Sequence, residues 1–132
     1  MTGTFISHRR SDTALAERLA EDLRSLGHEV WFDEWEIDLG DSIVEKMNAG
    51  LTTTRALVLC CSASGVEAPW IGREWMSALA RQLNGHGIKV LPVLLTGSEL
   101  PPLLADLRYA DLRTNYATGL AELDRALERL AP

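Results

Sequence analysis

The sequence predicts an α/β fold: a flavodoxin-like, doubly wound sheet of five parallel strands in the order 2-1-3-4-5, with helices on both faces. Three observations lead there. Strand-like and helix-like segments alternate from one end of the chain to the other, which builds parallel sheets through right-handed crossovers. The segment Ala56–Ser62 (Ala-Leu-Val-Leu-Cys-Cys-Ser) is continuously apolar, the pattern of a strand covered on both faces rather than one. Finally, 132 residues with 46% hydrophobic and 24% charged side chains suit one domain with a real core.

The elements follow in order. Thr2–Ser7 is a short strand ending in the polar turn His8-Arg9-Arg10-Ser11-Asp12. The next segment places Leu15, Leu19, Leu23 and Leu26 at helical spacing, with Gly27 as its stop signal. Glu29–Asp33 is the second strand, and an acidic loop from Glu34 to Asp41 follows it. Ser42 and Glu45 form a capping box that opens a helix with Ile43, Met47 and Leu51 on its buried stripe. After the strand Ala56–Ser62, a small-residue turn leads into a helix over Trp70–Leu83. Ile88–Leu95 is the fourth strand, and Pro92 within it predicts a local break or an unpaired amide. Thr96–Leu107 reads as irregular around Pro101-Pro102, Arg108–Leu112 as a short fifth strand, and Tyr116–Leu130 as a final helix with Leu120, Leu123, Leu127 and Leu130 inside.

Charge and cysteine usage narrow the function. The net charge is −6 with a pI near 5.0, and no basic patch stands out, which argues against nucleic acid or an anionic membrane as the main partner. The longest apolar runs, Ala56–Cys61 and Val90–Leu95, are too short to cross a bilayer, and the N-terminus has no signal-peptide core. Cys60 and Cys61 are neighbours on one strand and point to opposite faces, so they are expected to stay reduced. These features point to a cytoplasmic protein.

In a sheet of this winding, ligands bind beyond the carboxyl ends of the strands where the winding direction reverses, here between the first and third strands. Ser7, His8, Arg9 and Arg10 reach that point from one side, and Ser62, Ala63 and Ser64 from the other. The helix with Trp70 and Glu74, one turn apart on one face, rises from the same edge. A phosphorylated receiver domain would need acids where this chain has Ser7-His8-Arg9 and Cys61-Ser62. No flavin phosphate loop, Gly-x-Gly-x-x-Gly or P-loop is present. The acids Asp33, Glu34, Glu36, Asp38 and Asp41 lack EF-hand spacing and read as a solvated loop, so no metal is expected.

Phe5-Ile6-Ser7-His8 followed by Asp12, the strand Val30-Trp31-Phe32-Asp33, the loop Trp35-Glu36-Ile37-x-x-Gly40-Asp41-Ser42-Ile43, the strand Leu57–Ser62 and Trp70-x-x-x-Glu74 occur in an order that resembles a bacterial TIR (Toll/interleukin-receptor) domain over nearly the whole chain. The resemblance implies one domain over residues 1–132, belonging to a longer or multi-component effector of anti-phage defence whose sensor lies outside this chain. TIR domains either associate as adaptors or cleave NAD, and the enzymatic ones carry a glutamate in the helix after the third strand, which Glu74 matches. The implied activity is thus an NAD glycohydrolase or ADP-ribosyl cyclase with NAD as substrate and no cofactor.

Glu74 is then the catalytic carboxylate, steadying an oxocarbenium-like ribosyl state as the cationic nicotinamide departs. As a first-turn carboxylate it would also be favoured by the helix dipole with no catalytic role. Ser7, His8, Arg9, Arg10, Trp35, Ser62 and Trp70 are the candidate substrate contacts. Arginine forks suit a pyrophosphate, one of the two arginines sufficing, and Trp70 packs on the ribose or simply anchors the core. Trp35, Ile37, Asp38, Leu39 and Gly40 form the candidate assembly loop, because apolar side chains in an acidic loop call for a partner. In the family this loop meets a neighbouring TIR subunit, so a homo-oligomer or filament is expected. A lid folded on its own domain is the plainer reading. Competing functions are a non-enzymatic TIR–TIR module and a nucleotide N-glycosidase of other specificity. His28 and His86 read as ordinary turn residues.

Overall fold

The computed structural model describes residues 3–8, 12–32, 38–41, 49, 54–62, 89–97 and 108–130. Five parallel strands form one sheet: β1 (Gly3–Ser7), β2 (Val30–Phe32), β3 (Thr54–Cys61), β4 (Lys89–Leu94) and β5 (Ala110–Asp111), in the order β2-β1-β3-β4-β5. This is the expected order and winding. The helices described are α1 (Thr13–Ser25) and α2 (Tyr116–Leu130). The helices expected over residues 42–51 and 70–83 lie outside the described residues.

Residue-by-residue alternation on the central strands divides the core. Ile6, Phe32, Ala56, Val58, Cys60 and Val93 pack with Ala16, Leu19 and Leu23 of α1 and Leu123 and Leu127 of α2 on one face. Phe5, Leu57, Leu59, Cys61 and Leu94 fall between them in sequence, so they point to the other face, and they are buried too. Thus β3 is enclosed on both sides, as its apolar run requires. On that second face Phe5 and Trp31, register partners, stack with centroids 4.4 Å apart.

The helical stripe of α1 is narrower than its leucine spacing suggests. Leu19 and Leu23 are fully buried, whereas Leu15 and Leu26 are exposed, and Ala16 and Ala20 fill the stripe instead. Gly27 does stop the helix. Its φ of +98° supports a Schellman closure in which Gly27 N–H donates to Arg24 O at 3.0 Å and His28 N–H to Leu23 O at 3.1 Å. His28 does more than turn the chain: its Nε2 lies 2.6 Å from Asp124 Oδ1 and ties the start of β2 to α2. Tyr116 O–H donates to Asp22 at 2.5 Å beneath the Arg18 guanidinium, 3.9 Å from the ring centroid, which locks α1 against α2. Within α2, Leu123 and Leu127 are buried, while Leu120 and Leu130 are partly buried at the margin of the core.

Pro92 does not break β4. The strand runs through it, with Pro92 opposite Leu59 in the β3 ladder. The reason is direction. Leu95 N–H donates to Cys61 O at 2.8 Å and Leu112 N–H to Leu94 O at 3.0 Å, so odd-numbered residues of β4 address β3 and even-numbered ones the β5 side. Pro92 therefore turns its missing donor towards β5, whose pairing begins only at Val93 opposite Ala110.

Gly119 in α2 is buried against β5, where an added Cβ would strike the Asp111 carbonyl and the Leu112 side chain. Alanine has the better helix propensity by about 1 kcal/mol. Gly119→Ala is nevertheless expected to destabilise the fold, by about 1–3 kcal/mol, because backbone cannot yield as a flexible side chain does. Urea unfolding of the two proteins checks this; a more stable alanine variant would show that the helix-to-sheet contact is looser.

Candidate active site

The carboxyl ends of β1 and β3 lie side by side, with Ser7 opposite Leu59 in the ladder. Parallel pairing on either side of β1 makes the winding reverse at this edge, the position at which sheets of this winding bind ligands. His8 follows directly from β1 and is 4% exposed. Its ring stacks on Phe32 of β2 with centroids 4.9 Å apart, and its Nε2 lies 3.3 Å from Thr13 Oγ1. Asp12 stands at the N-cap position of α1 but makes no side-chain cap bond. Instead its Oδ2 accepts a hydrogen bond from Ser62 Oγ at 2.6 Å, with both residues buried. The same junction thus links β1, α1 and the end of β3.

Ser7 and Ser62 aim at opposite faces. Ser62 reaches the α1 side through Asp12, whereas Ser7 alternates with Ile6 and faces the other side. Ser7 Oγ is buried and, among the described residues, is the side-chain polar atom left without a hydrogen-bond partner. Buried hydroxyls without partners are rare and cost free energy. This one lies at the carboxyl end of β1, where the winding reverses.

Of the residues singled out in the sequence, the structure brings His8 and Ser62 to the α1 side of this edge and Ser7 to its other side. Arg9, Arg10, Trp35, Ile37, Trp70 and Glu74 lie outside the described residues. Asp12 entered the sequence reading only as part of a motif. Its partner stands fifty residues away, and no local pattern announces such a bond.

The assembly-loop candidates Asp38, Leu39 and Gly40 form, with Asp41, a type II turn: Gly40 takes φ +92°, Asp41 N–H donates to Asp38 O at 3.0 Å, and the Asp41 carboxylate accepts from Asp38 N–H at 3.0 Å. Leu39 at the corner is fully exposed. At the opposite end of the sheet, a groove of about 380 Å³ runs between the start of β4, β5 and α2. Its lining carries Lys89, Arg108, Arg125 and Arg129 against a single acid among the described residues, Glu122, and its apolar part includes Leu91 and Pro92. These cations are scattered through the sequence, which is why no basic patch stood out there.

The two cysteines are free and buried, as expected. Burial, reinforced by the nearby Cys61 and Asp12 charges, drives the Cys60 thiol far above its ordinary range, and burial pushes Cys61 up to about 12. Neither is a nucleophile at neutral pH.

These features define a doubly wound α/β domain with polar side chains gathered at its switch point. Its relatives narrow that class. The family model for the TIR domain matches residues 4–129, and the chain belongs to the TIR family. Over 90 residues it is 39% identical to the 2' cyclic ADP-D-ribose synthase BtTIR of Bacteroides thetaiotaomicron, covering 67% of this chain and 31% of that protein. It is 30% identical over 90 residues to the NAD(+) hydrolase TirS of Staphylococcus aureus, covering 67% of this chain and 32% of that protein. The chain therefore spans about a third of the length of these curated relatives. Among solved structures, a metazoan TIR-STING receptor from C. gigas superposes with TM-score 0.76 at 23% identity, over 94% of this chain and 38% of that one. A prokaryotic SEFIR domain superposes with TM-score 0.71 at 19% identity, over 96% of this chain and 92% of that one. Both show the same fold.

The buried thiols give a pH prediction. In the unfolded chain they ionise near 9, whereas the folded state keeps them protonated to higher pH. Their contribution to stability is therefore full below about pH 9 and is lost as pH rises towards 12. The urea midpoint is expected to fall between about pH 8 and about pH 10.5, and to fall less in Cys60→Ala. Equal slopes in the two proteins would contradict it.

Proposed function

We propose that this chain cleaves the bond between nicotinamide and ribose in NAD, with Glu74 as the catalytic carboxylate. The observation that carries the reading is the likeness over 90 residues to proteins named as NAD(+) hydrolases and 2' cyclic ADP-D-ribose synthases. The ligand edge between β1 and β3 supports it, with an unpartnered buried hydroxyl at Ser7.

Nicotinamide leaves as a neutral base from a cationic ring, so no general acid is needed. The carboxylate of Glu74 stabilises the positive charge that builds on the ribose as the bond breaks. Capture of the ribosyl cation by water gives ADP-ribose; capture within the molecule gives a cyclic ADP-ribose. Arg9 and Arg10 supply the cationic side of the site for the pyrophosphate. Ser7, His8, Trp35 and Trp70 complete the substrate contacts, whereas the Ser62 hydroxyl is turned to Asp12. Glu74→Gln is expected to lower nicotinamide release by a hundredfold or more, of the order seen when one preorganised electrostatic group is removed. Chromatography of NAD incubations, with NADP and free nucleosides alongside, checks both the activity and the choice of substrate. Unchanged turnover in Glu74→Gln would overturn the assignment.

Activity is proposed to depend on assembly of copies of this chain, and the biological role is that of a cytoplasmic anti-phage effector driven by a sensor outside it. Two observations favour self-assembly. Leu39 stands fully exposed at a tight turn with Asp38 and Asp41 beside it. The basic groove of β4, β5 and α2 has the complementary charge and an apolar lining. Specific activity is therefore expected to rise with protein concentration. Leu39→Asp, or Arg125→Glu with Arg129→Glu, should hold it at the dilute value and keep the protein monomeric in sedimentation. A dilute, verified monomer as active as concentrated protein would contradict this.

A further inference from the structure

We propose that Asp12 is a positioning residue for this cleavage: by holding the Ser62 hydroxyl, its buried carboxylate ties the end of β3 to the first turn of α1. The inference rests on the NAD reading and adds to it a residue that touches no substrate.

The geometry of Asp12 is unusual for its position. An aspartate at the start of a helix ordinarily accepts a bond from the helix's own free N–H groups, which is worth about 1 kcal/mol. Asp12 makes no such bond to α1. Its Oδ2 accepts instead from Ser62 Oγ, at the short distance of 2.6 Å that a charge-assisted O–H···O⁻ bond adopts. Both partners are more than nine-tenths buried, at 7% and 8% exposure. A carboxylate so enclosed needs its partner, because an unpaired buried charge is costly. The next residue, Thr13, lies 3.3 Å from His8 Nε2 through its hydroxyl. The first turn of α1 therefore grips the end of β1 with one side chain and the end of β3 with the one before it.

Those two ends carry the two halves of the proposed chemistry. Arg9 and Arg10 follow His8 in the chain, and Glu74 comes twelve residues after Ser62. The described register between β1 and β3 ends at Ser7 opposite Leu59, and the Asp12–Ser62 bond adds a side-chain tie one residue past the end of β3. Cleavage needs the phosphate-binding side and the charge-stabilising side at a set distance, and a misplacement of about 1 Å can cost about a hundredfold. Either half still binds NAD when the bridge is cut. The loss therefore falls on kcat rather than KM.

The test measures kcat and KM for nicotinamide release in the full chain, below the melting midpoint of every variant. Ser62→Ala and Asp12→Ala are each expected to lower kcat about tenfold or more with KM within about threefold. The double variant should be no slower than the slower single one, since one interaction is removed only once. Ser62→Thr and Asp12→Asn keep a hydroxyl donor and an oxygen acceptor and should recover most of the rate. A folded Ser62→Ala with a lower melting midpoint but unchanged kcat would overturn the proposal, as would additive losses in the double variant. In either of those cases turnover by the wild type and its loss in Glu74→Gln leave the NAD reading intact. A wild type that releases no nicotinamide, even when concentrated, overturns both.

Discussion

The fold depends on one constraint: from Ala56 to Cys61, β3 has no polar face, so water must be excluded from both sides at once. That demand sets parallel neighbours on each flank, β1 and β4, and burial above and below the sheet. With β2 beyond β1, the chain winds one way from β1 to β2 and the other way from β3 outwards. The reversal between β1 and β3 falls at their carboxyl ends, the position at which sheets of this winding bind ligands.

The edge is rigid because its polar groups are spoken for. His8 is held between the Phe32 ring and the Thr13 hydroxyl, and Ser62 by Asp12. Ser7 is the exception, a buried hydroxyl with no partner within the described residues. Sites that bind small polar ligands combine such fixed walls with a few unspent polar groups, since preorganised donors lose little entropy on binding.

Much of this was legible in the sequence, and the exceptions share a cause. The strand order, the closure at Gly27 and the bounds of Tyr116–Leu130 follow from local periodicity and turn chemistry, which act within a few residues. The misreadings are non-local. Leu15 and Leu26 have the right spacing yet face water, because Ala16 and Ala20 sit where the sheet comes close. Pro92 was expected to bring a local break or an unpaired amide; the strand does not break, because which neighbour a residue addresses depends on the sheet, not on the strand. The Asp12–Ser62 bond, the His28–Asp124 pair and the basic groove each join residues distant in sequence. Glu74, the residue on which the functional reading turns, lies outside the described residues.

The most direct measurement maps where NAD binds. Backbone amide shifts in the Glu74→Gln variant, titrated with NAD, would report contact without turnover. The account predicts the largest changes at Ser7, His8 and Ser62 and none at Lys89 or Arg125. Shifts confined to the groove between β4, β5 and α2, or no shifts at millimolar NAD, would contradict it.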